Sequence, residues 1–280
     1  MEAAKLYAKM EKDFIKQGLN DDWIKYMKKT KYLSDNFKKR SMGVVCDNSK
    51  EIRKVLTAVF PSDAVLKKVA REKDALLFVH HPEKWDITNR KSVFQEMNQG
   101  LLKKMKKRRD SIYNLHSPLD NFSAYSTGTA LAEALNLKNL RAFAHYNGGL
   151  AGVIGKTRIK SVNELSKKFS KIVGHRTSKY IYDNDKIRKG LIAVVGGGGN
   201  SIDILEEIAK RKINTFVTGI TVLNDFSRKA HDFARENRIN LLGGTHYSTE
   251  KFACIKMCTY FRKLGIQAEF VTDKPGMKDM

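Results

Sequence analysis

The sequence predicts an α/β fold, on three observations. Ala75 to Val79 and Leu191 to Val195 are wholly apolar runs, of the kind a strand buried on both faces needs. Such runs alternate with Lys-rich segments that carry apolar residues at helical spacing. Several of the apolar runs empty directly into short stretches of His, Gly and Asp, where α/β sheets place their ligands.

The elements follow in order. The first forty or so residues read as helical, with Phe14, Ile15, Trp23, Ile24 and Tyr26 among many lysines. Ser41 to Cys46 and Val55 to Phe60 are strands, and Pro61-Ser62-Asp63 opens a helix through Val69. The strand Ala75 to Val79 runs into His80-His81-Pro82. A polar helix is expected from about Asn89 to Arg109. The strand Ser111 to Leu115 ends at His116-Ser117-Pro118-Leu119-Asp120. Thr127 to Leu135 is a helix, Asn147-Gly148-Gly149 a turn, and Leu165 to Ile172 a helix. Leu191 to Val195 empties into Gly196 to Gly199, Asn200 and Ser201, with a helix from Ile202 to Lys210. Thr215 to Thr218 is a strand, Asp225 to Asn237 a helix, and Ile239 to Leu242 a strand ending at Gly243-Gly244-Thr245-His246. A helix from about Thr249 to Leu264 and a strand from Ala268 to Val271 close the sequence.

With 280 residues, of which 41% are hydrophobic, the chain can bury one large core or two small ones. No apolar run approaches the ~20 residues of a membrane helix. The first ten residues mix charges and do not read as a secretory signal. Three cysteines without a Cys-x-x-Cys pair argue against a disulfide framework and fit a reducing cytoplasm. The net charge of +23, from 53 Lys+Arg against 30 Asp+Glu, would attract polyanions such as nucleic acid. Lysine is spread along the whole chain, however, as a compositionally biased genome would give, so specific nucleic-acid binding is possible but not favoured. The basic run Lys103, Lys104, Lys106, Lys107, Arg108 and Arg109 reads most simply as the solvated face of a helix, with a nucleic-acid patch as the alternative. Cys254 and Cys258, four apart on the face of Phe261, read as core.

The residues able to do chemistry gather at strand ends. Past the end of a strand, the neighbouring imidazoles of His80 and His81 can reach two adjacent ions; equally, they can be two partly buried loop histidines. Asp120, four beyond His116, can bridge two cations, or cap a helix. His246 is expected at a strand end and Glu250 in the first helical turn beyond it. There Glu250 would be a ligand, or would merely complement the helix dipole. Imidazole and carboxylate without thiolate suit Zn, Fe, Mn, Co or Ni. Two such ions could activate a bridging water. Gly197, Gly198, Gly199 and Asn200 could cradle a phosphate on backbone amides, although the run lacks the Lys-Ser/Thr of a P-loop and could be a tight turn only.

Three separated motifs, Val79-His80-His81-Pro82, His116-x-x-x-Asp120 and Thr245-His246-Tyr247-Ser248-Thr249-Glu250, occur in order with the Val194-Val195-Gly196-Gly197 strand end. In this the chain resembles the NGG-one-interacting-factor-three-like family, whose bacterial members are often named GTP cyclohydrolase 1 type 2 homologs. The resemblance spans roughly residues 55–271. It implies that His80, His81, Asp120, His246 and Glu250 bind two divalent metal ions, with His116 close by as a ligand or proton relay. It implies two lobes of mixed sheet flanked by helices, with the metals in the cleft between them, and a ring-shaped homohexamer. Residues 1–125 and 255–280 would form the first lobe, and residues 126–254 the second, with the glycine run, His246 and Glu250. The chain departs from the family at Thr245, where glycine or alanine is common. It departs again after Thr218-Gly219, where Ile220-Thr221-Val222 replace the more usual acidic and basic residues. The expected function is a metal-dependent hydrolase of a nucleotide-like or heterocyclic substrate, with His116 or Glu250 moving the proton. The alternative is a metal carrier or a nucleic-acid-associated binding protein.

Overall fold

The computed structural model describes residues 1–89 and 91–280, and the chain divides into two compact units. Unit one is Met1–Leu119 with Cys254–Lys274, and unit two is Asp120–Ala253 with Pro275–Met280. Residues 275–280, grouped above with the first lobe, fold with unit two. Asp279 holds them there: its carbonyl accepts from the Thr221 and Val222 amides, each at 2.9 Å, and its carboxylate accepts from the His246 amide at 2.7 Å.

Unit one begins with helix α1 (Ala3–Phe14), a single 3-10 turn at Trp23–Tyr26, and helix α2 (Asp35–Arg40). Strands β1 (Gly43–Cys46) and β2 (Lys54–Ala58), helix α3 (Asp63–Val69) and strand β3 (Ala75–Val79) follow. The helix expected from Asn89 is shorter. A small hairpin of β4 (Lys84–Trp85) and β5 (Phe94–Gln95) comes first, and helix α4 spans Gln99–Arg108. Asn98 sets that start, its side chain accepting from the Leu101 amide at 3.1 Å. Arg90, within the expected helix, lies outside the described residues. Strand β6 (Ser111–Asn114) and the short helix α5 (Ser117–Asp120) lead out of the unit.

The sheet of unit one has the order β1-β6-β3-β2-β13, where β13 is Gln267–Phe270; only β1 runs antiparallel to its neighbour. Leu56, Ala58, Leu77, Val79 and Ile112 pack on one face with the buried side chains of α3 and α4, as the two-residue period of a strand requires. On the other face Phe78 meets Phe261 edge-on at 5.7 Å. Because β3 and β6 are parallel neighbours, their carboxyl ends lie side by side; His80 follows β3 directly, and His116 follows β6 after Leu115.

Unit two opens with helix α6 (Thr127–Ala134) and a long hairpin, β7 (Lys138–Tyr146) and β8 (Gly149–Lys156). Helix α7 (Val162–Val173), strand β9 (Ser178–Tyr180), strand β10 (Leu191–Val194) and helix α8 (Ile202–Lys210) follow. Strand β11 (Thr215–Thr218), helix α9 (Arg228–Glu236), strand β12 (Asn240–Gly243) and helix α10 (His246–Lys263) complete the series. The sheet order is β7-β8-β10-β11-β12-β9, with β10, β11 and β12 parallel. Val153, Val194, Val217 and Leu242 face one core with α6 and α7. Their neighbours Ile154, Ala193, Phe216 and Leu241 face the other with α8 and α9. Burial on both faces explains the unbroken apolar runs. The three parallel strands deliver the glycine run, Gly219-Ile220, and Gly244-Thr245 to one edge. The chain passes from unit two into unit one within α10. Among the described residues no helix is long and apolar enough to cross a membrane.

Candidate metal centre

In unit one the strand ends bring three imidazoles together. His80, His81 and His116 are 0%, 1% and 8% exposed, and one ligand atom from each lies within 4.8 Å of the other two. His80 Nδ1–H donates to the Leu115 carbonyl at 3.0 Å, which places its lone pair on Nε2. The His81 amide donates to the Val59 carbonyl at 2.9 Å, and its ring stacks on Phe60 with centroids 4.6 Å apart. The His80 and His81 rings meet edge-on, with centroids 4.4 Å apart and planes at 72°. His116 Nδ1 lies 2.8 Å from the Asp21 carboxylate, and Trp23 meets the His116 ring edge-on at 4.8 Å.

Glu83, two residues past His81, is fully buried, and burial, with Glu96 nearby, pushes its carboxyl up to about 8. Nothing in the sequence pattern marks Glu83 as buried, because it follows a proline in a stretch that reads as a loop. Asp21 and Trp23 were hidden in a stretch that reads only as a Lys-rich helix. The one available signal was an acidic pair placed directly before a tryptophan.

In unit two, Asp120, His246 and Glu250 are 8%, 6% and 3% exposed. Asp120 Oδ1 accepts from the Thr127 hydroxyl at 2.7 Å, which holds the carboxylate at the foot of α6. His246 is the first residue of α10 and not the end of a strand, and Glu250 stands one turn further in. Thr245 causes the early start. Its hydroxyl accepts from the Ser248 amide at 3.1 Å, and the Ser248 hydroxyl accepts from the Thr245 amide at 2.9 Å, a reciprocal cap. Four residues apart on one helical face, His246 Nε2 and Glu250 Oε1 come within 3.2 Å.

The glycine run lies against this pair. A Cβ on Gly197 would stand 2.1 Å from Glu250 Oε1 and 3.0 Å from His246 Cδ2. Two amides of the run have partners within the protein, however. The Gly197 amide donates to the Thr249 hydroxyl at 3.0 Å, and the Gly199 amide donates to the Thr218 hydroxyl at 3.1 Å. Those buried amides need partners, and threonine side chains supply them. Gly198 is exposed, and a Cβ there would meet Ile220 at 3.6 Å; Gly197 has a positive φ, +67°. The Asn200 side-chain nitrogen is buried without a hydrogen-bond partner among the described residues.

Cys254 and Cys258 are core residues as expected, 0% and 3% exposed, and burial raises the Cys258 thiol pKa. The basic run on α4 is the outer face of a helix whose Leu101, Leu102 and Met105 are buried.

Fold and residues together define an α/β protein with buried imidazole and carboxylate groups that could hold metal ions. The chain belongs to the Duf34/NIF3 (NGG1p interacting factor 3) family, whose model matches residues 20–275. A GTP cyclohydrolase 1 type 2 homolog of Borreliella burgdorferi is 30% identical over 215 residues, covering 76% of this chain and 79% of that protein. The protein of the same name in Methanocaldococcus jannaschii is 33% identical over 220 residues, covering 76% and 81%. Reduced HcgD from Methanocaldococcus jannaschii superposes with a TM-score of 0.69 over 98% of both chains at 24% identity, a likeness of fold.

Proposed function

We propose that His80, His81, Asp120, His246 and Glu250 hold two divalent metal ions and that the chain is a metal-dependent hydrolase of a nucleotide-like substrate. The observation that carries this reading is the set of three imidazoles, all nearly devoid of solvent, with ligand atoms inside 4.8 Å of each other. Burying three imidazoles together is costly unless each nitrogen finds a hydrogen or a metal, and the donor set suits borderline ions such as Zn, Fe, Mn, Co or Ni. The names of the two relatives support the substrate class. Bound ions would supply Lewis-acid polarisation and an activated water.

The chain's own part is to hold its ligands in fixed tautomers and positions. The Leu115 carbonyl does so for His80, Thr127 for Asp120, and the capped first turn of α10 for His246 and Glu250. His116, whose Nδ1 lies 2.8 Å from the Asp21 carboxylate, stands beside this set as a further ligand or as a proton relay. In this reading the homohexamer implied by the family would show in sedimentation as six times the 31.9 kDa chain mass.

The test is metal analysis of protein purified without added metal, followed by GTP turnover with and without chelator, on the wild type and on Glu250→Ala. Two equivalents of metal, lost with turnover in Glu250→Ala, are expected. Full metal content in Glu250→Ala would reduce that side chain to a helix charge. Metal without turnover, or salt-sensitive nucleic-acid binding alone, would leave a carrier or binding protein.

A further inference from the structure

Asp21 comes from a part of the chain with no place in the ligand set, yet it touches the histidine cluster directly. It lies in the turn between α1 and Trp23, and its side chain is 2% exposed. Oδ1 stands 2.8 Å from His116 Nδ1 and accepts from the Ser117 hydroxyl at 2.7 Å, while Oδ2 accepts from the Ser117 amide at 3.1 Å. Two residues on, Trp23 is 5% exposed and meets both His116 and His81 edge-on, at 4.8 and 5.5 Å. The segment therefore grips His116 in two ways, by a charge at one ring nitrogen and by an indole against the ring.

We propose that Asp21 is a positioning residue of the metal centre: it fixes His116 as the Nδ1–H tautomer, so that Nε2 carries the lone pair and His116 serves as a ligand. The proposal rests on the metal reading above. Its physical basis is general. A carboxylate that accepts from the far nitrogen of a ligating imidazole fixes the ring and raises its basicity, and losing it costs tenfold to hundredfold in metal affinity. The carboxylate also brings a negative charge near the cations, which helps any buried divalent site. A cap on α5 accounts for the two bonds to Ser117 and leaves the contact with His116 unexplained.

The experiment titrates the metal-free protein with Co(II), reading the ligand-field absorption and competition with a chromophoric chelator. Alongside it, two-dimensional NMR of the 15N-labelled imidazoles reads the His116 tautomer without metal. The variants are Asp21→Asn and Asp21→Glu, each checked for its melting temperature. Asp21→Asn should lose about tenfold to hundredfold in Co(II) affinity and its hold on the tautomer. Asp21→Glu should recover part of both. Unchanged affinity in a folded Asp21→Asn overturns the positioning role while leaving the metal reading intact. Should Asp21→Asn fail to fold, an Nε2–H tautomer of His116 in the wild type overturns it. A wild type in which Co(II) gives no ligand-field band overturns the metal reading itself, and the proposal with it.

Discussion

Gly197 and Glu250 illustrate how single residues constrain the candidate site. With φ at +67° and a Cβ position 2.1 Å from Glu250 Oε1, position 197 accepts only glycine without moving the carboxylate. Gly197→Ala should therefore lower metal content with no ligand changed, whereas Gly198→Ala, facing open space but for Ile220, should leave it normal. Metal analysis of the two proteins side by side checks this. Asp110 makes a separate prediction about stability. It is fully buried, its Oδ1 accepts from the Ala75 amide at 3.1 Å, and burial pushes its carboxyl up to about 7. The folded state thus holds the proton that the unfolded chain gives up near pH 4. Stability attributable to Asp110 is present below pH 4 and falls as pH rises to about 7, by at most ~1.4 kcal/mol per pH unit. Asp110→Asn keeps the acceptor and has no charge to bury. It should be more stable than the wild type at pH 8, by about 1–3 kcal/mol, with the gap in melting temperature opening between pH 4 and 7. A gap of constant size across that range would mean that Asp110 does not titrate with folding.

At the scale of elements, the start of α10 matters most, because one turn of helix carries both His246 and Glu250. The reciprocal bonds of Thr245 and Ser248 hold that turn. Thr245→Val keeps the shape and loses the cap, at a cost of about 1 kcal/mol. Melting temperature and metal affinity should fall together; a fall in melting temperature alone would show that the turn does not govern the ligands. This cap was visible in the sequence only as a threonine and a serine three apart, without the Glu or Gln that marks a capping box, so the helix seemed to begin later. Helices α6 and α8, and strands β3, β10 and β11, were legible because apolar periodicity and burial on both faces speak clearly. The β7–β8 hairpin was not, beyond the Asn147-Gly148 turn. Strand β7 is an edge strand with most of its residues in solvent, so it shows neither alternation nor an apolar run. The histidine cluster was legible from position alone, since His80 and His116 follow adjacent parallel strands. Asp21 was not, because proximity across 95 positions of sequence leaves no local pattern.

For the whole molecule, the excess of 53 Lys+Arg over 30 Asp+Glu sets long-range behaviour. It predicts sequence-independent binding to duplex DNA at low salt that weakens by at least ~10³-fold between 50 and 200 mM salt. Fluorescence anisotropy with two unrelated duplexes checks this, and a preference for one that survives 200 mM salt would mark specific recognition instead. The order of the strands has a consequence of another kind, for the birth of the chain. Strand β13 pairs with β2 at the edge of the first sheet, yet the whole main segment of unit two lies between them in the sequence. On the ribosome, β1, β2, β3 and β6 emerge early and then wait, with one side of β2 open, while unit two is made. Synthesis at about 5–20 residues per second makes that wait last several seconds or more. An open strand edge is a site for wrong pairing, so nascent chains of this protein should be substrates for ribosome-bound chaperones at an intermediate length and released from them once Gln267–Phe270 has emerged.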